Sequence, residues 1–278
     1  MATIEDDHGQ IFYNIQGSGK PIVILRGLSF SIKHWLGFDR ELAKHFKVIT
    51  MDHRGISQSK AKVSWSLSMS DLARDVTKVL DHNNIESAHI LGMSLGGMAA
   101  LAMGLEFSRY CQSITVVGSS IAGTGSLRLS REAVVRLAKC RGYNQKTIEA
   151  LSDLLLHPDA NPAHREKARS SWTRIAQEDG FHRLTTMKQL IAASRFNVGQ
   201  KLKTMRIPTL VTYGDGDLFV PPVNSFQIYQ KLPNARLVKI EGAGHEVSLE
   251  KPAELIGAIQ QFTKSLPKAP GLGRITPL

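Results

Sequence analysis

A serine, a pair of aspartates and a histidine stand in three glycine-rich loops, each directly behind an apolar run. Ser94 lies in Gly92-Met93-Ser94-Leu95-Gly96, after the run at residues 88–91. Asp215 and Asp217 lie in Gly214-Asp215-Gly216-Asp217, after residues 208–213. His245 closes Glu241-Gly242-Ala243-Gly244-His245, after residues 236–240. An alcohol is a poor nucleophile near neutral pH and needs a base to take its proton. Among ten histidines, His245 alone follows a late strand in a glycine-flanked loop. His53, in a polar loop, and His89, inside a strand, read as hydrogen-bonded structural histidines. A carboxylate is needed to hold the imidazole in one tautomer and to stabilise its charged form. Either Asp217 or Asp215 could serve, although Asp215 lies nearer the strand, where ordering the turn is its simpler task.

The first loop carries the strongest local signal. An apolar strand runs into Gly-x-Ser-x-Gly, and a small-residue helix follows (residues 99–105). A serine at the tip of so tight a turn takes positive φ, and side chains at positions 92 and 96 would collide across it. The strain lifts the hydroxyl out of the sheet edge. The amide of Leu95, at the start of the next helix, then points at any oxygen that gains negative charge beside Ser94.

The elements that must hold these loops alternate. Residues 11–15, 21–26, 48–51, 88–91, 113–118, 208–213 and 236–240 read as strands, most of them continuous apolar runs of the kind buried on both faces of a parallel sheet. Helical spacing links them at residues 35–46, 70–82 (with Ser70 as the cap), 222–232 and 252–262. Strands alternating with helices imply an α/β fold: a mostly parallel sheet with helices on both faces, and binding groups at the strands' C-terminal ends. Arg26-Gly27-Leu28, Asp52, Ser94 and Ser119 all fall at such ends. Between residues 130 and 197 the pattern is helical throughout (133–140, 147–156, 163–178, 184–194), broken by Pro158 and Pro162. A block this long exceeds a simple crossover. The expected organisation is a core of residues 1–120 and 201–266, a helical cap at 121–200 laid over the strand ends, and a disordered tail at 267–278, where three prolines and two glycines concentrate.

Composition narrows the function classes. At 278 residues and 42% hydrophobic content, one large domain with a sizeable core is expected. Residues 1–10 show neither a basic nor an apolar segment of a secretory signal, and no run is long enough to span a bilayer. Two cysteines in separate segments do not make a disulfide framework, so a cytoplasmic protein is expected. The net charge of +11 comes from scattered basic residues without aromatic interleaving, which argues against nucleic-acid binding. Residues 120–200 hold thirteen Lys/Arg against seven Asp/Glu. That surplus either solvates outer helix faces or looks into the entrance and favours anionic substrates.

Four motifs in one order carry a resemblance. Besides the serine loop, Asp52-His53-Arg54-Gly55-Ile56-Ser57-Gln58-Ser59 is similar to a D-x-R-G-x-G-x-S loop. Gly214 to Asp217 with Val220-Pro221 matches an acid-bearing loop, and Gly244-His245 with Glu250 and Pro252 matches a histidine loop. The chain resembles the α/β-hydrolase superfamily over all but its tail, with the family's order Ser, Asp, His. The resemblance implies Ser94, Asp217 and His245 as the catalytic triad and the amides of Leu28 and Leu95 as the oxyanion hole, with no cofactor and no metal. It implies a serine hydrolase acting on a small ester, thioester or lactone. Carbon–carbon hydrolysis or acyl transfer by the same triad, and a low-turnover receptor, remain the alternatives. Relatives usually carry His-Gly where this chain has Arg26-Gly27, so Arg26, like Met93, is a candidate to touch substrate, or else a structural replacement. On this reading a fluorophosphonate probe labels the protein once per chain, and Ser94→Ala abolishes the label; labelling that survives the substitution unchanged removes Ser94 from its role.

Overall fold

The computed structural model describes residues 1–6, 8–122, 129–130, 135, 144–180 and 182–267. Eight strands form one sheet: β1 (Ala2–Asp6), β2 (Gly9–Gln16), β3 (Pro21–Leu25), β4 (Lys47–Met51), β5 (Ala88–Met93), β6 (Cys111–Val117), β7 (Thr209–Gly214) and β8 (Ala235–Ile240). Their spatial order is β1-β2-β4-β3-β5-β6-β7-β8. The pairs β1–β2 and β2–β4 are antiparallel, and the others are parallel. The expected α/β architecture is therefore present.

Period-two alternation decides which side chains serve which face. On β3, Val23 and Leu25 join the core beneath α2 (Met69–His82) and α3 (Leu95–Glu106). Ile22 and Ile24 join the opposite core with α1 (Phe38–Leu42) and α9 (Pro252–Lys264). Every residue of β5 and of β7 is buried, which is why both read as unbroken apolar runs. Between β6 and β7 stand α4 (Gln145–Leu155), α5 (Pro162–Asp179) and α6 (Arg183–Arg195). A third apolar cluster joins them to the strand-end loops, with Ile148, Leu155 and Trp172 packing around Phe30, Phe219 and Leu249. Two short pieces complete the core, α7 (Val223–Lys231) and α8 (Val247–Glu250).

Several elements differ from the sequence expectation. A strand is present where none was expected: Ala2–Asp6 pairs with Gly9–Gln16 as a hairpin at the sheet edge, where one face meets water. The helix expected at 35–46 is a 3₁₀ turn (Ile32–Trp35) followed by a single α-turn pair, because Leu36 and Gly37 both take positive φ between them. Pro162 falls at the boundary between helices, as the sequence implies, and is itself the first residue of α5, behind Asn161, whose side chain accepts from Ala163 N at 2.9 Å. The helix expected at 133–140 lies outside the described residues except for Val135, and the tail expected at 267–278 except for Pro267. No helix among the described residues is long and apolar enough to cross a membrane.

The cap of α2 is also displaced. Ser68, not Ser70, stands at the N-cap: its Oγ accepts from Asp71 N at 3.3 Å, while Asp71 Oδ2 accepts from Ser68 N at 2.9 Å. This reciprocal pair satisfies two otherwise orphaned amides. Ser70 instead donates to Glu106 on the surface. Ser68→Ala should cost about 1 kcal/mol in urea denaturation, whereas Ser70→Ala should stay within about 0.5 kcal/mol. Equal losses would mean that the reciprocal pair does not set the end of the helix.

Candidate active site

The serine loop is built by close backbone approach. Ser94 has φ 56° and ψ −121°, a conformation that L residues adopt only under constraint. A Cβ at Gly92 would lie 2.0 Å from Gly96 O, and one at Gly96 would lie 2.3 Å from Leu25 O. Only glycine allows α3 to start that close to β3. Four hydrogen bonds hold the strained residue: Ser94 N donates to Val117 O at 2.9 Å, while Ser94 O accepts from Gly97 N at 2.9 Å, from Met98 N at 3.3 Å and from Ser119 Oγ at 2.7 Å. Ser119, noted in the sequence only for its place at a strand end, thus pins the turn.

His245 is buried, and its Nδ1 donates to Asp217 Oδ2 at 2.8 Å. The other oxygen of Asp217 accepts from Phe219 N at 2.9 Å and Val220 N at 2.8 Å, so the carboxylate is fixed from both sides. Asp215 points elsewhere and accepts from Gly242 N at 2.8 Å, tying the acid loop to the histidine loop. Burial alone would lower the pKa of His245; the charge and hydrogen bond of Asp217 outweigh it and hold the pKa above the ordinary imidazole value.

A second carboxylate shapes the same loop. Glu250, on α8, accepts from Gly244 N at 2.7 Å and from His157 N at 2.8 Å, joining the histidine loop to the end of α4. Burial pushes its pKa up to about 7. His53 and His89 take structural places. His53 Nε2 donates to Arg26 O at 3.0 Å, and His89 Nδ1 meets Ser113 Oγ at 2.8 Å; burial lowers both to about 4, so both rings stay neutral.

Ser94, His245, Arg26, Met93 and Leu28 all line one cavity of about 220 Å³. A smaller, apolar pocket continues past Ser94 between Leu28, Leu95, Met98 and Val220. Ser94 and His245 share the cavity without a hydrogen bond between them among the described residues; such contacts often tighten only when substrate arrives. Arg26, part of the cavity wall, is 1% exposed and is engaged by its neighbours. Its Nη2 donates to both oxygens of Glu246 at 2.9 and 3.0 Å, and Nη1 lies 3.3 Å from Met93 Sδ. The loop that carries Leu28 is held from α6: Ser29, at φ 61°, donates through its amide to Gln189 Oε1 at 3.0 Å, and its hydroxyl bonds Thr186. From the basic segment, Arg183 is the charged side chain that reaches the cavity lining among the described residues. Arg165 and Arg169 pair with Asp153, and Lys188 and Arg195 donate to carbonyls of the core, at Val63 and Trp65. Among the described residues no three His, Cys, Asp or Glu side chains converge to hold a metal ion.

The model of the alpha/beta hydrolase fold family matches residues 20–252, which span every loop just described. The chain belongs to the alpha/beta hydrolase fold family. Within that family it is similar to a putative carbamate hydrolase, RutD, of Azorhizobium caulinodans (26% identity; 87% of this chain and 90% of that protein covered). It is also similar to a 2-hydroxy-6-oxo-6-phenylhexa-2,4-dienoate hydrolase of Burkholderia cepacia (25%; 85% of each). The enol-lactonase of Burkholderia xenovorans LB400 superposes with a TM-score of 0.78 at 20% identity, covering 95% of this chain and 100% of the other. That last likeness shows a shared alpha/beta hydrolase fold.

The geometry separates the two aspartates. Asp217→Asn should lower kcat by about 10⁴, since an amide favours the wrong tautomer. Asp215→Asn, which removes only a turn contact, should stay within about threefold. Activity should rise with pH as His245 loses its proton, with a midpoint above about 6.5. A mild Asp217→Asn, or a midpoint well below that value, would overturn the assignment.

Proposed function

We propose that the protein is a serine hydrolase that cleaves a carboxylic ester, thioester or lactone through an acyl-enzyme on Ser94. The observation that carries this reading is a serine at φ 56° opening on the same cavity as a histidine whose far nitrogen is committed to a buried aspartate. With Nδ1 engaged, Nε2 of His245 is left to accept the Ser94 proton. The amides of Leu28 and Leu95 are the proposed donors to the tetrahedral oxyanion, and His245 then returns its proton to the leaving group. Water repeats the sequence in deacylation. No cofactor enters these steps.

The segment 121–200 acts in this reading as a cap. Its helices supply Leu151, Leu155, Arg183, Met187 and Leu190 to the cavity, an apolar wall with one cation. Such a wall suits a small, largely apolar substrate of drug-like size or less. The names of the relatives widen the set of bonds to try, because attack on a carbamate or on a ketone flanking a carbon–carbon bond starts from the same activated serine.

A panel of p-nitrophenyl esters, an acyl thioester, lactones and a carbamate tests the reading directly. At least one oxygen or sulfur ester should turn over 10²-fold or more faster with the native protein than with Ser94→Ala, and mass spectrometry of a quenched reaction should show the acyl group on Ser94. Turnover of the carbamate alone would move the substrate class. Absence of any adduct and any turnover would leave a binding protein on a hydrolase scaffold.

A further inference from the structure

Arg26 stands where its guanidinium touches a neighbour of every reactive group. It directly precedes Gly27-Leu28, the proposed oxyanion loop. Its Nη1 reaches the sulfur of Met93, next to Ser94, and lies 3.5 Å from Ser248 Oγ. Its Nη2 holds both oxygens of Glu246, the residue after His245. The plane is locked between rings, 4.9 Å from the centroid of Phe30 and 4.7 Å from that of Trp35. Arg26 and Glu246 are 1% and 3% exposed, yet both belong to the wall of the cavity that Ser94 and His245 share.

Two opposite charges buried this close to the base have a defined electrostatic effect. Paired, they nearly cancel at the imidazole. Unpaired, each acts on His245 through a medium with little water to screen it. Glu246 raises the affinity of the ring for its proton and Arg26 lowers it, in addition to the larger effect of Asp217. The other charged or titratable groups around the ring are Asp217 on the acid loop, Glu250 behind Gly244, His157 packed against Gly216 and Gly244, and Arg183 across the cavity. None of these makes a hydrogen bond or ion pair to Arg26 or Glu246 among the described residues, but after burial Glu246 helps hold the pKa of Glu250 up, and Arg26 helps hold that of the buried His34 down.

We propose that Arg26 and Glu246 are a positioning pair: as a charge-balanced bridge they tie the loop carrying Leu28 to the histidine loop, and their balance sets the pH at which His245 works as the base. The pair touches no reacting atom. It rests on the reading of His245 as the base, so that reading is established first, by loss of turnover in His245→Ala under the same assay. The pair is then read from kcat/KM against pH in three variants. Glu246→Gln leaves a permanent positive charge, because arginine does not deprotonate. Its midpoint should fall by about half a pH unit or more. Arg26→Met leaves a carboxylate, and its midpoint should rise. The double variant Arg26→Met/Glu246→Gln removes both charges and should return the midpoint to the native value, even where kcat stays lower. It is also expected to fold at least as well as either single variant, since neutral replacement of a buried pair is tolerated better than loss of one partner. Either single variant that folds, judged by its thermal melt, is compared with the double. A merely structural bridge would lower activity at all pH values without moving the midpoints apart. Coincident midpoints in native, single and double variants, or a double variant that keeps the shift of Glu246→Gln, would overturn the proposal while leaving the triad intact.

Discussion

The site depends on one constraint: the first turn of α3 must press against the end of β3. Gly96 sits so near the carbonyls of Leu25 and Arg26 that no Cβ fits between them. That contact forces Ser94 into positive φ, which costs on the order of 1–3 kcal/mol. The surrounding structure supplies what holds it there. Val117 O, Gly97 N and Ser119 Oγ occupy the polar groups of Ser94, and β5 is buried along its whole length. The same press brings Gly27 against the Ser94 side chain, its hypothetical Cβ 3.0 Å from Ser94 Cβ, so the loop carrying the Leu28 amide and Ser94 are placed by one packing event.

What the sequence makes legible follows from which forces are local. Parallel strands buried on both faces carry runs of mainly apolar residues without charged side chains, and β3, β5, β6 and β7 were readable for that reason. The tight turn at Ser94 requires glycine at fixed offsets, and that requirement is visible in five residues. The hairpin of Ala2–Asp6 was not readable, since an edge strand with a wet face needs no apolar run. Ser68 and Ser70 are equally good caps by residue type; the reciprocal bond with Asp71 decides between them, and it forms only in three dimensions. The partnership of Arg26 with Glu246 spans 220 positions and has no local trace. Neither has the grip of Gln189 on Ser29, 160 positions apart.

Charge in this protein is used for fastening more than for display. Lys33 binds Glu178 and Asp179 of α5, Arg54 binds Asp75 of α2, and Lys188 and Arg195 reach backbone carbonyls of the core. The contacts of Lys33, Lys188 and Arg195 join the helices between β6 and β7 to the loops of the sheet. Within that segment Arg165, Arg169, Lys188 and Arg195 are engaged in this way, without recourse to a substrate. Arg183 is different in position, at the cavity wall, and it is through such a residue rather than through net charge that a preference for anions would be expressed.

The strand order has a consequence for how the chain acquires its chemistry. Residues 26, 94, 119, 217 and 245 come from the ends of five strands that neighbour one another in the middle and far half of the sheet. They are scattered over most of the sequence, with the helices of residues 144–195 interposed along the chain between the third and the fourth of these groups. Contacts between such distant positions close large loops, which is entropically slow, and parallel pairing cannot begin until the intervening chain has folded back. Local helices form orders of magnitude sooner. During synthesis or refolding, helical content therefore accumulates well before the reactive groups converge, and the ability to transform a substrate marks completion of the whole sheet.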